Sequence, residues 1–294
     1  RAGDLASFAL VMKARKKSRN FFVNHVRPNV MVLEKIDIDE GYFKEYTKHI
    51  NIDAFATDIK TNLQQFKDAN LAGSLIIPKI TAPDNYIEKL KEVQINNELF
   101  QANIHDNIIK LFEQIAYLSQ RYHVVVTNPP YIKVSVISEN MREFVQNYYS
   151  NSKINLDTCF INRALKLLKV NGIAGMITQS SFLFKAQYKQ FRKFFLKNSE
   201  ILQIVKLGSG AFPEVKGEVL QTAMFIFTNS KNSNYCFKYL DLTQIEGHSN
   251  KEITFRNSST FELVRLNMKQ LGQDMLFVDE QLGNKNYSNP KIGC

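Results

Sequence analysis

Asn128-Pro129-Pro130-Tyr131, directly after Val124-Val125-Val126-Thr127, is the place where the sequence shows chemistry. Three β-branched apolar residues predict a buried strand. Two prolines then end it, because proline has no N–H for a ladder and fixes φ near −65°. Such a turn projects the Asn128 carboxamide, the Pro129 carbonyl and the Tyr131 ring from a strand end. Two acceptors beside a flat ring suit a planar group carrying an NH2. Acceptors on both amine hydrogens draw the nitrogen lone pair out of the ring and make it nucleophilic. Tyr131 is placed to stack on that ring, as aromatics do with unstacked bases. Asn-Pro is also a common turn starter, so a plain strand-terminating turn is the competing explanation.

The elements around it must hold this turn. The periodicity predicts a strand at 123–127, helices near 138–150 and 156–169, and closure of the second helix by Asn171-Gly172. A strand at 173–178, a basic helix at 184–197 and strands at 201–206 and 222–227 follow. Strands alternating with helices indicate a largely parallel α/β sheet, and the last two strands suggest an antiparallel edge hairpin. Ligands of open α/β sheets lie at the carboxyl ends of strands, where the turn sits. Upstream, helix is predicted at 3–20, across much of 40–70 and at 84–121, with a short strand at Val30-Met31-Val32-Leu33. After residue 229 the chain is polar, as in a linker or the start of another module.

In the basic helix Lys185, Lys189, Arg192, Lys193 and Lys197 interleave with Phe184, Tyr188, Phe191, Phe194 and Phe195. The cations are candidates for phosphate contacts along a nucleic-acid strand, with Lys189, Arg192 and Lys193 foremost. An amphipathic helix with a solvated charged face explains the same pattern. Asp157 is a candidate to support substrate or cofactor, and it also stands where a helix N-terminus favours a carboxylate. The formal net charge of +10 favours a polyanionic partner. Cys159, Cys236 and Cys294 are far apart and odd in number, which fits reduced, cytoplasmic thiols rather than a disulfide scaffold. No apolar run is long enough to span a membrane, and the five histidines form no metal-ligand spacing.

Asn-Pro-Pro-Tyr after a Val-rich strand resembles the signature of S-adenosyl-L-methionine-dependent methyltransferases acting on amine or amide nitrogen. The chain most resembles N6-adenine-specific DNA methyltransferases of restriction–modification and phage-defence systems. The segment Asp157…Phe160-Ile161-Asn162-Arg163-Ala164-Leu165…Leu168-Lys169…Gly172 is similar to that family's next helix. Gly175-Met176-Ile177-Thr178-Gln179-Ser180-Ser181-Phe182-Leu183 resembles the following strand and loop. Leu207-Gly208…Phe212-Pro213…Val219…Thr222-Ala223-Met224-Phe225-Ile226-Phe227 resembles the later loop and strand, in which Phe212 matches the aromatic that contacts a flipped adenine. Phe66-Lys67-Asp68-Ala69…Gly73-Ser74-Leu75 is similar to a segment of the larger, insertion-bearing members, including the BREX phage-defence methyltransferases.

The resemblance implies a Rossmann-like fold with a catalytic domain over 1–228, carrying an insertion at about 30–120, and a linker or recognition region over 229–294. It implies methyl transfer to N6 of adenine in double-stranded DNA, in a bacterial or archaeal cytoplasm. Asn128, Pro129, Pro130 and Tyr131 would be catalytic and Phe212 substrate-binding. Asp68 and Asn128 would be near the cofactor, although an exposed loop carboxylate explains Asp68 equally. The family's Gly-x-Gly loop and acidic ribose ligand have no match, and Gly208-Ser209-Gly210 follows a different strand. The opening, from Arg1-Ala2-Gly3-Asp4 to Arg15, resembles the helix just after that acidic ribose ligand and lacks a starting Met, so we expect a fragment without the first strand and cofactor loop. Methylation of a protein glutamine or of RNA, and a non-catalytic DNA-binding remnant, remain alternatives.

Overall fold

The computed structural model describes residues 2–23, 26–49, 53–80, 82–93, 95, 99–212, 221–232, 234–258 and 262–267. The chain divides into two units, Arg1–Gln120 and Arg121–Cys294. The first unit is helical: α1 (Ala2–Lys17), α2 (Glu40–His49), α3 (Asp53–Phe66), α4 (Ala69–Ala72), α5 (Pro83–Glu92) and α6 (Leu99–Ser119). In α6, Ile104, Ile108, Leu111, Phe112, Ile115 and Leu118 recur at helical spacing and are all buried. Tyr86 of α5 stacks on Phe112 of α6, with ring centroids 4.9 Å apart. The long helix expected over 84–121 is thus two helices. Val30–Leu33 lies outside any strand, and α1 forms as expected but buries none of its residues.

The second unit is built on a six-stranded mixed sheet. Its elements are β1 (Tyr122–Thr127), α7 (Glu139–Tyr148), α8 (Leu156–Leu167), β2 (Leu168–Gln179), α9 (Lys189–Asn198), β3 (Glu200–Gly208), β4 (Thr222–Thr228), β5 (Asn234–Asp241), α10 (His248–Asn257) and β6 (Glu262–Asn267). The strand order is β1-β2-β4-β3-β5-β6. β1 runs parallel to β2, and β3 parallel to β5. β4 lies antiparallel between β2 and β3. The α/β class is as expected, but the sheet is mixed rather than largely parallel, with two of its five pairings among the described residues parallel, and the antiparallel hairpin has changed place. The antiparallel β3–β4 pair is interior, because β5 pairs onto the free side of β3; the antiparallel pair at the edge is β5–β6. Asn234–Asp241 and Glu262–Asn267, in the stretch read from its polarity as a linker or the start of another module, therefore supply two strands of the same sheet.

Phe182, Phe191, Phe195, Phe225 and Phe227 form the centre of the core, with edge-on contacts such as Phe195 to Phe227 at 5.1 Å. Two local expectations need correction. Asn171-Gly172 does not cap α8, which passes straight into β2. Instead Asn171 takes φ 59° and Lys169–Gly172 bulge from the β1–β2 ladder, whose register jumps between Tyr122 and Val124. A Cβ on Gly172 would stand 2.9 Å from the Lys169 carbonyl oxygen and 3.0 Å from that of Tyr122, so glycine is required there. β1 is also not buried on both faces. It is the outer strand of the sheet among the described residues, and Val124 and Val126 are 62% and 78% exposed.

Candidate functional site

β1 ends at Thr127, and the turn that follows leaves Asn128 exposed, Pro129 buried and Tyr131 half-buried. The Tyr131 hydroxyl lies 2.7 Å from Asn128 Oδ1 and 3.2 Å from the Ile177 carbonyl of β2. A hydroxyl has one proton, and the shorter contact is the better donation. The carboxamide is therefore oriented by the ring that follows it, and one of its oxygen lone pairs stays open. Burial, and then the charge of Asp157, push the Tyr131 hydroxyl up to about 12, so it is a neutral donor at ordinary pH.

The chain after the turn is pinned to the segment that opens α8. The Leu156 amide donates to the Ile132 carbonyl at 2.9 Å, the Val134 amide to the Ile154 carbonyl at 3.0 Å, and Lys133 bridges Asn155. Asn155 is the N-cap residue, but its side chain does not cap. Its Nδ2 donates to Gln179 Oε1 at the end of β2 (3.0 Å), while its Oδ1 is buried without a partner. Asp157, 1% exposed, accepts from the Thr158 amide at 2.8 Å and from the Gln179 amide. Burial raises its carboxyl to about 6 against those amides. Sequence reasoning placed Asp157 at the helix start but missed Asn155 and Gln179. The signal lies in Asn155-Leu156-Asp157, a pair of polar residues flanking the first helical position.

β3 runs in the same direction as β1 and β2, so Phe212, on the loop leaving β3, belongs to the same carboxyl end of the sheet as Asn128 and Gln179. Gly208 and Gly210 take φ 69° and 66° on that loop, and Phe212 is half-buried. Lys251, buried in α10, ties the loop's root: its Nζ donates to the Leu207 and Leu242 carbonyls, both at 2.7 Å.

The basic helix divides. Lys185, Lys193 and Lys197 are exposed and Lys189 is half-buried. Arg192 is not available to phosphate. It is 2% exposed, and its Nη1 donates to the Phe182 and Lys185 carbonyls at 3.0 and 2.7 Å, closing the 182–185 turn. Asp68 lies in the first unit, where its carbonyl accepts from the Leu71 and Ala72 amides at the start of α4. Among the described residues there is no His, Cys, Asp or Glu cluster that would hold a metal. No helix among them is long and apolar enough to cross a membrane.

Chemically, Asn128 Oδ1 and the Pro129 carbonyl are acceptors at a strand end, one held by a neutral phenol. That set fits an aromatic amine. A sulfonium nucleoside needs amide donors and a ribose acceptor; the two prolines of the turn have no N–H to offer it, and residues 128–131 include no carboxylate.

The family model described as Eco57I restriction-modification methylase matches residues 1–212. The adenine-specific methyltransferase BrxX of Escherichia coli O9:H4 (strain HS) is 30% identical over 258 residues, covering 80% of this chain and 21% of the relative. The adenine-specific methyltransferase PglX of Lacticaseibacillus casei (strain Zhang) is 29% identical over 261 residues, covering 87% and 22%. The chain thus spans about a fifth of the length of these curated relatives. Among solved structures, a modification subunit of a putative type I restriction enzyme from Vibrio vulnificus YJ016 superposes with a TM-score of 0.39 at 10% identity, over 66% of this chain and 51% of that one.

Proposed function

Because this chain belongs to the Eco57I restriction-modification methylase family, we propose that it carries the base-handling part of an enzyme that methylates N6 of adenine in double-stranded DNA, for restriction–modification or phage defence in a prokaryotic cytoplasm. The observation that carries the reading is the Asn128–Tyr131 turn, with its carboxamide oxygen held by the Tyr131 hydroxyl at 2.7 Å. Asn128 Oδ1 and the Pro129 carbonyl accept the two N6 hydrogens, the Tyr131 ring stacks on the base, and Phe212 packs against it from the β3 loop. Extrusion of the base costs a few kcal/mol, which stacking and phosphate contacts offset. Catalysis rests on positioning and polarising the amine. The methyl donor is S-adenosyl-L-methionine on family grounds. The prolines of the turn offer its nucleoside no N–H, and the turn's own residues bind and orient the amine.

Charge supports a DNA partner for the sheet unit in particular. Residues 1–120 carry 16 Lys and Arg against 15 Asp and Glu, whereas residues 121–294 carry 22 against 13. The exposed Lys185, Lys193 and Lys197 are our candidates for phosphate contact, with Lys189 beside them. Tritiated methyl transfer by the full-length protein into duplex DNA, RNA and protein tests the reading. Label in adenine N6 of duplex DNA, abolished by Asn128→Ala, is the expected result; label in protein or RNA alone would overturn it.

A further inference from the structure

We propose that Asp157 is a positioning residue for this transfer: its carboxylate locks the start of α8 to the end of β2 and thereby places the Tyr131 hydroxyl that holds the Asn128 carboxamide. The inference rests on the methyl-transfer reading.

The geometry runs through one short segment. Residues 154–156 pin the turn's tail, through Ile154 to Val134, Asn155 to Lys133 and Leu156 to Ile132. Residues 155 and 157 pin the end of β2, through the Gln179 side chain and the Gln179 amide. Two residues before Gln179 along β2, the Ile177 carbonyl stands 3.2 Å from the Tyr131 hydroxyl. A shift of Asp157 therefore moves both walls between which Tyr131 sits. The ionisable groups facing the carboxylate are Tyr131 from the turn, Tyr188 before α9 and Cys159 of α8 itself. None is a cation, and only backbone amides favour the charged form. A helix start gains as much from an exposed carboxylate or a neutral amide side chain. A carboxylate buried without a cation is costly, and strongly perturbed ionisable groups cluster at functional sites.

The experiment compares the full-length wild type with Asp157→Asn, and with Asp157→Ala as the harsher variant. Three quantities are read: the pH profile of methyl transfer to duplex DNA, thermal melting, and the ionisation of a fluorinated tyrosine placed at position 131, followed by 19F resonance. In Asp157→Asn, kcat falls about 10–100-fold, as for a slight misplacement of reacting groups. KM for DNA stays within about twofold, since the phosphate contacts are untouched. The acid limb near pH 6 disappears, because the carboxyl that titrates at about 6 is gone. The residue-131 hydroxyl ionises at lower pH, since a nearby negative charge has been removed.

Wild-type kcat per folded molecule in Asp157→Asn, with only melting altered, would show a purely structural carboxylate and overturn the proposal. So would an unmoved residue-131 titration. That last arm needs no methyl transfer. If the wild type labels no DNA, the functional reading falls while the coupling of Asp157 to Tyr131 is still decided.

Discussion

Asp157 should make the fold less stable as pH rises, the reverse of an ordinary surface-paired carboxylate. Its folded carboxyl titrates at about 6 against a free value of 3.8, and burial is the cause. The folded state then holds the proton more tightly than the unfolded chain. The associated stability is present in acid and is lost as pH climbs from about 4 through about 6. Roughly two pKa units at 1.36 kcal/mol each give about 3 kcal/mol in all, of which about 2 kcal/mol falls between pH 4.5 and 7.5. Asp157→Asn cannot titrate, so its unfolding free energy should gain about 2 kcal/mol on the wild type across that window. This holds whatever the offset between the two proteins at pH 4.5. Urea unfolding at several pH values, followed by far-ultraviolet circular dichroism, measures it; the chain has no Trp for fluorescence. Parallel profiles would refute the burial cost. A gap widening toward the wild type would mean that a cation stabilises the carboxylate in the fold.

Removing the Asn128 carboxamide takes away the Tyr131 partner and, on the proposed function, an acceptor for the substrate amine. Asn128→Ala should lower kcat by about 100-fold or more and leave filter binding of duplex DNA nearly unchanged. Arg192→Met strands the Phe182 and Lys185 carbonyls, so urea unfolding should show a loss of about 3 kcal/mol. Lys193→Ala, at an exposed position of the same helix, should leave unfolding within about 0.5 kcal/mol. It should also reduce the slope of log affinity against log salt by about 1. Phe212→Ala removes the second aromatic that the proposed function places against the base. It should weaken binding of DNA carrying an extrahelical adenine by about 1–3 kcal/mol, read by fluorescence anisotropy.

What local chemistry determines was legible in the residues themselves. The end of β1 follows from two prolines without N–H groups, and the strand and helix periods of 122–228 follow from side-chain spacing. The Asn128 and Tyr131 pairing is local too, three residues apart on one turn. Arg192 shows where such reading stops. In sequence it is one cation among five, and only the chain's return at Phe182 and Lys185 supplies the carbonyls that bury it. The interior place of β4 and the entry of 234–267 into the sheet depend on long-range ladders that no local pattern encodes. Asp157 is the sharpest case. Its residue type and helix position were plain, but its burial comes from α8 packing against the end of β2, 22 residues away in sequence. The sequence by itself determined where the strand ends and which residue types stand on the turn after it; the tertiary structure decided which side chains face solvent and which face one another, because burial and pairing are set by distant segments meeting.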